Sequence, residues 1–112
     1  MGRAAVSDTD KLDEVLAQFG GQPNVVRAKM FGKHCLKADG NVIAVLFEED
    51  LVFKLTGEAH AEALQLEGAR LWDPRGRGHA MREWVQTPVA HSSAYGRFAR
   101  EAYDYVTGPA DR

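Results

Sequence analysis

The sequence predicts an α+β fold, a single domain in which helices flank one antiparallel β-sheet, in the order α-β-β-β-α-β-β-α. Apolar stripes with helical spacing stand near both ends of the chain, and an Asp-Gly pair separates two alternating runs in the middle. Glycines and prolines punctuate the remaining segments. With 112 residues, 45% apolar and 27% charged, we expect one domain over residues 1–112 with its core at about 8–106.

Three segments have the pattern of amphipathic helices. The first is SDTDKLDEVLAQF, in which apolar residues fall at i, i+3, i+4 and i+7, and Gly20 follows it. The second runs from about 57 to 67. The third covers 91–106 and carries a continuous apolar stripe, formed by Tyr95, Phe98, Ala99, Ala102, Tyr103 and Val106.

The alternating pattern of residues 27–55, in the middle of the chain, predicts three antiparallel strands. Asp39-Gly40 is a strong signal for a two-residue hairpin, because a type I′ turn needs positive φ at both central positions. Continuing the pairing from that turn places Leu36 opposite Ile43.

The next two connections are predicted from the apolar pattern. A three-residue turn at 48–50 places Phe47 opposite Leu51, because only that length keeps the apolar positions of both strands on one face. A second hairpin is expected from strands near 69–73 and 80–86, which end before Pro88.

Basic residues are concentrated in two segments, although the whole chain carries a net charge of −2. Segment 27–37 has a local charge of +4, and segment 70–82 has a local charge of +3. We predict one continuous strand over 27–37, in which alternation sends the odd positions to one face: Arg27, Lys29, Phe31, Lys33, Cys35 and Lys37. The predicted registers add Val42, Ala44, Leu46, Val52 and Lys54 to this face.

An apolar centre with a basic rim is open to two interpretations. A helix covers the centre while the lysines protect a sheet edge, or the face contacts a partner or a nucleic acid. The stretch DPRGRGHAMREW is not a phosphate-binding glycine loop, because its glycine spacing is wrong and no helix follows. We interpret it as a hairpin loop with exposed arginines. The candidate partner or anion contacts are Lys29, Lys33, Lys37, Lys54, Arg75 and Arg77.

The residue types used in catalysis and metal binding show no organised spacing. His34 and Cys35 are adjacent on a strand and therefore point to opposite faces, so we expect a buried structural cysteine rather than a nucleophile. No metal or other cofactor is expected. A lone cysteine, with no signal peptide and no membrane-spanning run, predicts a cytoplasmic protein.

The stretches KMFGKHCLKADGNVIAVLFEEDLVFKL and DPRGRGHAMREWVQTP resemble the N-terminal domain of the TfoX/Sxy family over about residues 28–106. The matching positions are Met30, Phe31, Gly32, Asp50, Leu51, Met81, Trp84 and Pro88. The resemblance implies an α+β domain around an antiparallel sheet, without known catalytic residues. It also implies a role in regulating DNA-uptake competence, in which named members act with the cyclic-AMP receptor protein at promoters. Lys33 stands where the family usually has a second glycine.

Together these observations predict a small non-enzymatic module that binds a macromolecular partner, in transcription or competence regulation. The partner is expected to be an unidentified protein, with no membrane contact, and a homodimer is a further alternative. Two other functions stay open. One is weak, direct nucleic-acid binding through segments 27–37 and 70–82, and the other is a small enzyme that uses Cys35 or a histidine.

Overall fold

The computed structural model describes residues 7–30, 32–74, 76, 78 and 81–108, and confirms the α+β fold. Its strands form one antiparallel sheet of six in the order β1-β2-β3-β4-β6-β5. The elements are α1 (Ser7–Ala17), β1 (Val25–Met30), β2 (Lys33–Ala38), β3 (Asn41–Phe47), β4 (Asp50–Lys54), α2 (Gly57–Leu64), β5 (Arg70–Trp72), β6 (Met81–Thr87), a 3-10 helix (Val89–Ala94) and α3 (Tyr95–Thr107). None of the helices in the described ranges is long and apolar enough to cross a bilayer.

The prediction of one continuous strand over 27–37 is wrong, so the sheet has one more strand than expected. Met30 pairs with Lys33 across a two-residue connection, and β1 and β2 form a hairpin. Gly32 has a φ of +80°, a conformation that side-chain-bearing residues rarely adopt. The segment lacks the polar turn residues that usually mark a hairpin, which is why its alternation resembles a single strand.

The Asp39-Gly40 hairpin is confirmed. Ala38 pairs with Asn41, and both turn residues have positive φ, 52° for Asp39 and 83° for Gly40. Positive φ at both central positions is the backbone conformation that a type I′ turn requires.

The predicted register beyond that turn is wrong, because β3 contains a bulge. Leu36 pairs with Ala44 rather than with Ile43, and the register shifts between Leu36 and Lys37. Two residues of β3 therefore oppose one residue of β2, and both Ile43 and Ala44 are buried in the same core. Period-two alternation does not reveal an inserted residue of this kind.

The turn between β3 and β4 has two residues rather than three. Phe47 pairs with Asp50, so the predicted pairing of Phe47 with Leu51 is wrong. The first turn residue, Glu48, has a φ of 58°. Glutamate is an unusual residue for the left-handed region, so the sequence carries no signal for this turn.

All three helices pack on one face of the sheet, and the large core lies between them. This main core includes Leu12 and Val15 of α1, Phe19 just after it, Ala59 and Ala63 of α2, and Tyr95, Phe98, Ala99 and Ala102 of α3. The sheet contributes Val25, Leu36, Ala38, Ile43, Ala44, Leu51, Phe53 and Val85, and Leu55 follows directly after β4. The apolar stripes that the sequence predicts on the helices are therefore the surfaces that pack against one face of the sheet and bury it.

A buried tyrosine ties α3 to two central strands. The Tyr95 hydroxyl donates to the backbone oxygen of Thr87 at 2.8 Å and accepts from the backbone N–H of Leu51 at 3.3 Å. The Thr87 hydroxyl in turn donates to the backbone oxygen of Leu51 at 2.7 Å. Because all three residues are buried, these bonds satisfy groups that water cannot reach.

Asp50 extends this network at the start of β4. Its carboxylate accepts from Gln86 Nε2 and from the backbone N–H of Val89, both at 2.9 Å. The acidic side chain therefore holds the end of β6 and the beginning of the 3-10 helix next to the β3–β4 turn.

The Glu48→Gly variant should be more stable than the natural protein. A left-handed residue with a side chain costs about 1–2 kcal/mol, whereas the extra freedom of glycine in the unfolded chain costs about 0.5–1 kcal/mol. We expect the free energy of unfolding, measured with urea, to rise by about 0.5–1 kcal/mol. Glu49→Gly is the matched control and should lower it, because φ of Glu49 is not positive. Equal destabilisation by both variants would contradict the turn geometry.

The Tyr95→Phe variant should have a free energy of unfolding about 1–3 kcal/mol lower than that of the natural protein. The substitution removes the hydroxyl that accepts from the Leu51 N–H and donates to the Thr87 carbonyl oxygen. Urea unfolding at neutral pH measures the difference.

Burial raises the pKa of Tyr95 to about 12, above its ordinary value near 10. The native state therefore holds the phenolic proton of Tyr95 more tightly than the unfolded state does. This difference stabilises the native state fully below pH 10, and the contribution is lost as the pH rises from 10 to 12. Urea unfolding across this range should show a steeper fall for the natural protein than for Tyr95→Phe.

Candidate interaction surface

The sheet face opposite the helices, which we call the helix-free face, carries a smaller core of its own. Its buried members are Cys35, Val45, Val52 and Trp72, and Ala28, Met30, Val42, Phe47 and Trp84 pack partly buried against them. Every one of these described residues belongs to a strand. This second core is therefore built without a helix.

The side chain of Trp72 closes the second core. The register between β5 and β6 shifts sharply, because Leu71 pairs with Val85 while Trp72 pairs with Met81. The Trp72 ring lies 5.6 Å from the Phe47 ring although β4 and β6 separate their strands. Trp72 is only 3% exposed, and its buried Nε1 has no hydrogen-bond partner in the described part of the chain. Within the described residues, an indole and no helix therefore completes this apolar centre. Val42 and Val52 lie on the face that the sequence predicts, but the prediction for Ala44 and Leu46 is wrong, because the bulge in β3 places both in the main core.

Three predicted contact lysines lie on this face. Lys33 pairs with Met30 and places its Nζ 5.9 Å from the centroid of the Phe47 ring. Lys37 lies between Val26 of β1 and Val42 of β3. Cross-strand partners share a face of the sheet, so both lysines project beside the second core.

Lys54, the third of these lysines, is more strongly held. Its Nζ lies 5.7 Å from the Trp84 ring centroid and 5.8 Å from that of Tyr105. It is also 3.9 Å from Glu83 Oε1, so its charge already has a carboxylate partner.

Lys29, a further predicted contact, and its neighbour Arg27 are not brought to this face. Arg27 pairs with buried Leu36 and donates to Asp13 of α1 at 2.6 Å, which places it on the helix side. Lys29, two residues further along β1, shares that side. The chain reversal between Met30 and Lys33 explains this, because it separates the cations of β1 from those of β2. Phe31, Arg75 and Arg77 lie outside the described residues.

The expected geometry of His34 and Cys35 is confirmed. His34 pairs with Lys29 on the helix side, whereas Cys35 pairs with Ala28 in the second core. Cys35 is fully buried, and burial raises the pKa of its thiol against the partly offsetting charges of Lys37 and Arg27. Among the described residues, no three His, Cys, Asp or Glu side chains are grouped to hold a metal ion.

Sequence reasoning missed Phe47 and Trp72 as parts of this surface. The pairing predicted from Asp39-Gly40 places Phe47 on the opposite face because it does not include the bulge in β3, and the sequence assigns Trp72 only to a short strand. The glycine at position 32 is the signal that could have divided β1 from β2. No local signal predicts that Trp72 folds over the sheet, because that depends on the register shift in β6.

A family model for the TfoX N-terminal domain matches residues 14–105 of this chain. The chain belongs to the TfoX N-terminal domain family. The match runs from within α1 to within α3 and so includes the second core and all the buried residues of the main core except Leu12. No curated protein and no solved structure matches the chain.

The structure gives physical roles to the residues that carry the resemblance to TfoX N-terminal domains. Gly32 allows the β1–β2 turn, and Asp50 and Leu51 anchor the network around Tyr95. Met81 pairs with Trp72, while the Trp84 ring packs in the second core at 5.9 Å from the Trp72 ring and at 58° to it. These roles are architectural, and they determine the shape of the helix-free face.

The Cys35 thiol should react with alkylating reagents at least about a hundredfold more slowly in the native protein than in denaturant. That factor corresponds to an opening free energy of about 3 kcal/mol. A Lys29→Cys thiol in a Cys35→Ala background is the control and should react rapidly, because position 29 is exposed. Native labelling of Cys35 as fast as this control would show that the second core is open.

Proposed function

We propose that this TfoX N-terminal domain is a non-enzymatic module that binds a partner protein through the helix-free face, in the regulation of transcription or competence. The observation that carries the proposal is a sheet face with an apolar core and with two lysines, Lys33 and Lys37, that have no carboxylate partner among the described residues. Family membership supports the regulatory setting.

Some cations on the sheet already have a carboxylate partner. Arg27 on the helix side pairs with Asp13, and Lys54 on the helix-free face pairs with Glu83. Within the described ranges, neither Lys33 nor Lys37 makes an ion pair, and no helix lies near them to supply one. Uncompensated charges on a rigid sheet favour a partner of opposite charge, since they guide association and orient the complex.

A protein partner fits this face better than a nucleic acid does. Base stacking uses the open face of an aromatic ring, but lysine ammonium groups lie near the rings of Phe47 and Trp84. Val26 is 49% exposed beside Lys37, and an exposed valine next to a cation suits contact with a protein side chain. The net charge of −2 also disfavours general attraction to polyanions.

The position of the thiol supports the non-enzymatic part of the proposal. A catalytic cysteine needs a base within hydrogen-bond reach and access for the substrate. Cys35 is enclosed by the second core, and the neighbouring His34 lies on the other face of the sheet.

Photo-crosslinking in the native cell tests the proposal, with a crosslinker at position 26 and identification of both protein and nucleic acid. The double variant Lys33→Glu/Lys37→Glu should lower partner capture by about tenfold or more, because two attractive contacts become repulsive. Lys11→Glu/Lys29→Glu, which makes the same charge change away from this face, should leave capture unchanged. Both variants should keep the thermal midpoint nearly constant.

Equal capture by the two double variants would show that the helix-free face is not the binding surface. Crosslinking to nucleic acid, with affinity that falls steeply with salt and depends on Lys33 and Lys37, would instead establish the alternative of direct nucleic-acid binding.

A further inference from the structure

The two lysines of β2 have a defined spacing. Lys33 and Lys37 are four residues apart on one strand and project to the same face. At about 3.3 Å per residue, their backbone positions are separated by about 13 Å. Cys35 lies between them and is fully buried, so the surface between the two charges belongs to the apolar second core.

The neighbouring strands surround both charges with apolar side chains. Lys37 has Val26 on one side and Val42 on the other, and Lys33 is opposite Met30 and close to Phe47. No carboxylate from an adjacent strand stands beside either lysine at these paired positions. An ammonium group in apolar surroundings is less well screened than one in open water, so an incoming anion interacts with it more strongly.

We propose that this surface, the lysine-valine patch (Val26, Met30, Lys33, Lys37 and Val42), binds an extended acidic segment of the partner protein. The segment carries two carboxylates four residues apart, which pair with Lys33 and Lys37, and aliphatic side chains that contact Val26 and Val42. This inference rests on the proposed function and specifies the chemistry of its partner.

The spacing favours an extended segment. In a β-strand, residues i, i+2 and i+4 project to one side, and i and i+4 are again about 13 Å apart. Carboxylates at those two positions therefore match the separation of the lysines without bending either chain. The residue between them faces the apolar surface above Cys35.

Other occupants match this patch less well. A second copy of the chain, meeting it in a symmetric contact, would place Lys33 and Lys37 against the same cations. A nucleic acid could neutralise both lysines, but its sugar-phosphate backbone has no apolar group for the half-exposed Val26.

Amide NMR titration of the full chain with short peptides tests the inference. The first peptide has nine residues, with two glutamates four positions apart, a valine midway between them, and serine or threonine elsewhere. Matched peptides replace both glutamates with glutamine, or place them two positions apart. We expect the first peptide to shift amides of β1, β2 and β3 and to bind about tenfold more tightly than either control.

Substitutions in the protein provide the reciprocal test. Lys33→Gln/Lys37→Gln should weaken binding of the first peptide by about tenfold, whereas Lys29→Gln should leave it unchanged. No shifts at millimolar peptide, or equal binding of the glutamine peptide, would overturn the inference. Tighter binding of a twelve-base-pair DNA duplex through the same lysines would also overturn it.

The crosslinking experiment separates this inference from the proposed function. If capture depends on Lys33 and Lys37 but the crosslinked segment of the partner contains no acidic residues, the inference fails and the proposed function stands. If capture does not depend on these lysines, both fail.

Discussion

A sheet with two apolar faces and helices on only one of them must cover the other face with its own side chains. In this protein the three helices pack on one side, and the second core lies on the side they leave open. Trp72 meets this constraint, because the register shift between β5 and β6 lets its indole reach Phe47 across the sheet. The buried valines and the thiol beneath it are thereby removed from water, which is favourable at about 25 cal/mol for each Å² of apolar surface.

The polar network around Tyr95 holds α3 against the helix side of the sheet. One hydroxyl links α3 to the backbone of two central strands, and the Asp50 carboxylate links the start of β4 to the chain that leads into α3. Strand β4 thus contributes Val52 to the second core, and its first residues are hydrogen-bonded to α3 and to the chain that leads into it. The two faces of the sheet are coupled through the backbone of β4 rather than through contacts between the cores.

Lysine side chains connect the second core to the solvent. Their aliphatic stems can lie along apolar surface while the ammonium groups stay hydrated, and Lys33 beside Phe47 and Lys54 beside Trp84 are placed in this way. The same side chains therefore protect a core without helices and leave charge on its surface. Lys37 and Lys33 differ from Lys54 in that only Lys54 has a carboxylate neighbour among the described residues.

The sequence by itself determined the features that depend on local chemistry. Helical spacing predicts the three apolar stripes that bury the sheet, and Asp39-Gly40 predicts its hairpin because few other pairs accept positive φ at both positions. The alternation of His34 and Cys35 correctly separates them onto opposite faces. The short motifs around Gly32, Asp50 and Trp84 were enough to indicate the family that the match over residues 14–105 shows.

Tertiary structure alone decided which cations share a surface. Three features change which face the following side chains take: the chain reversal between Met30 and Lys33, the bulged residue Ile43, and the two-residue turn with left-handed Glu48. None of them has a strong sequence signal. Because side chains alternate with period two, one inserted residue or one chain reversal moves every following side chain to the other face. Alternation over a continuous strand would place Lys29 and Lys33 together, but for that reason they lie on opposite faces of the sheet. The helix-free face forms only when all six strands are paired.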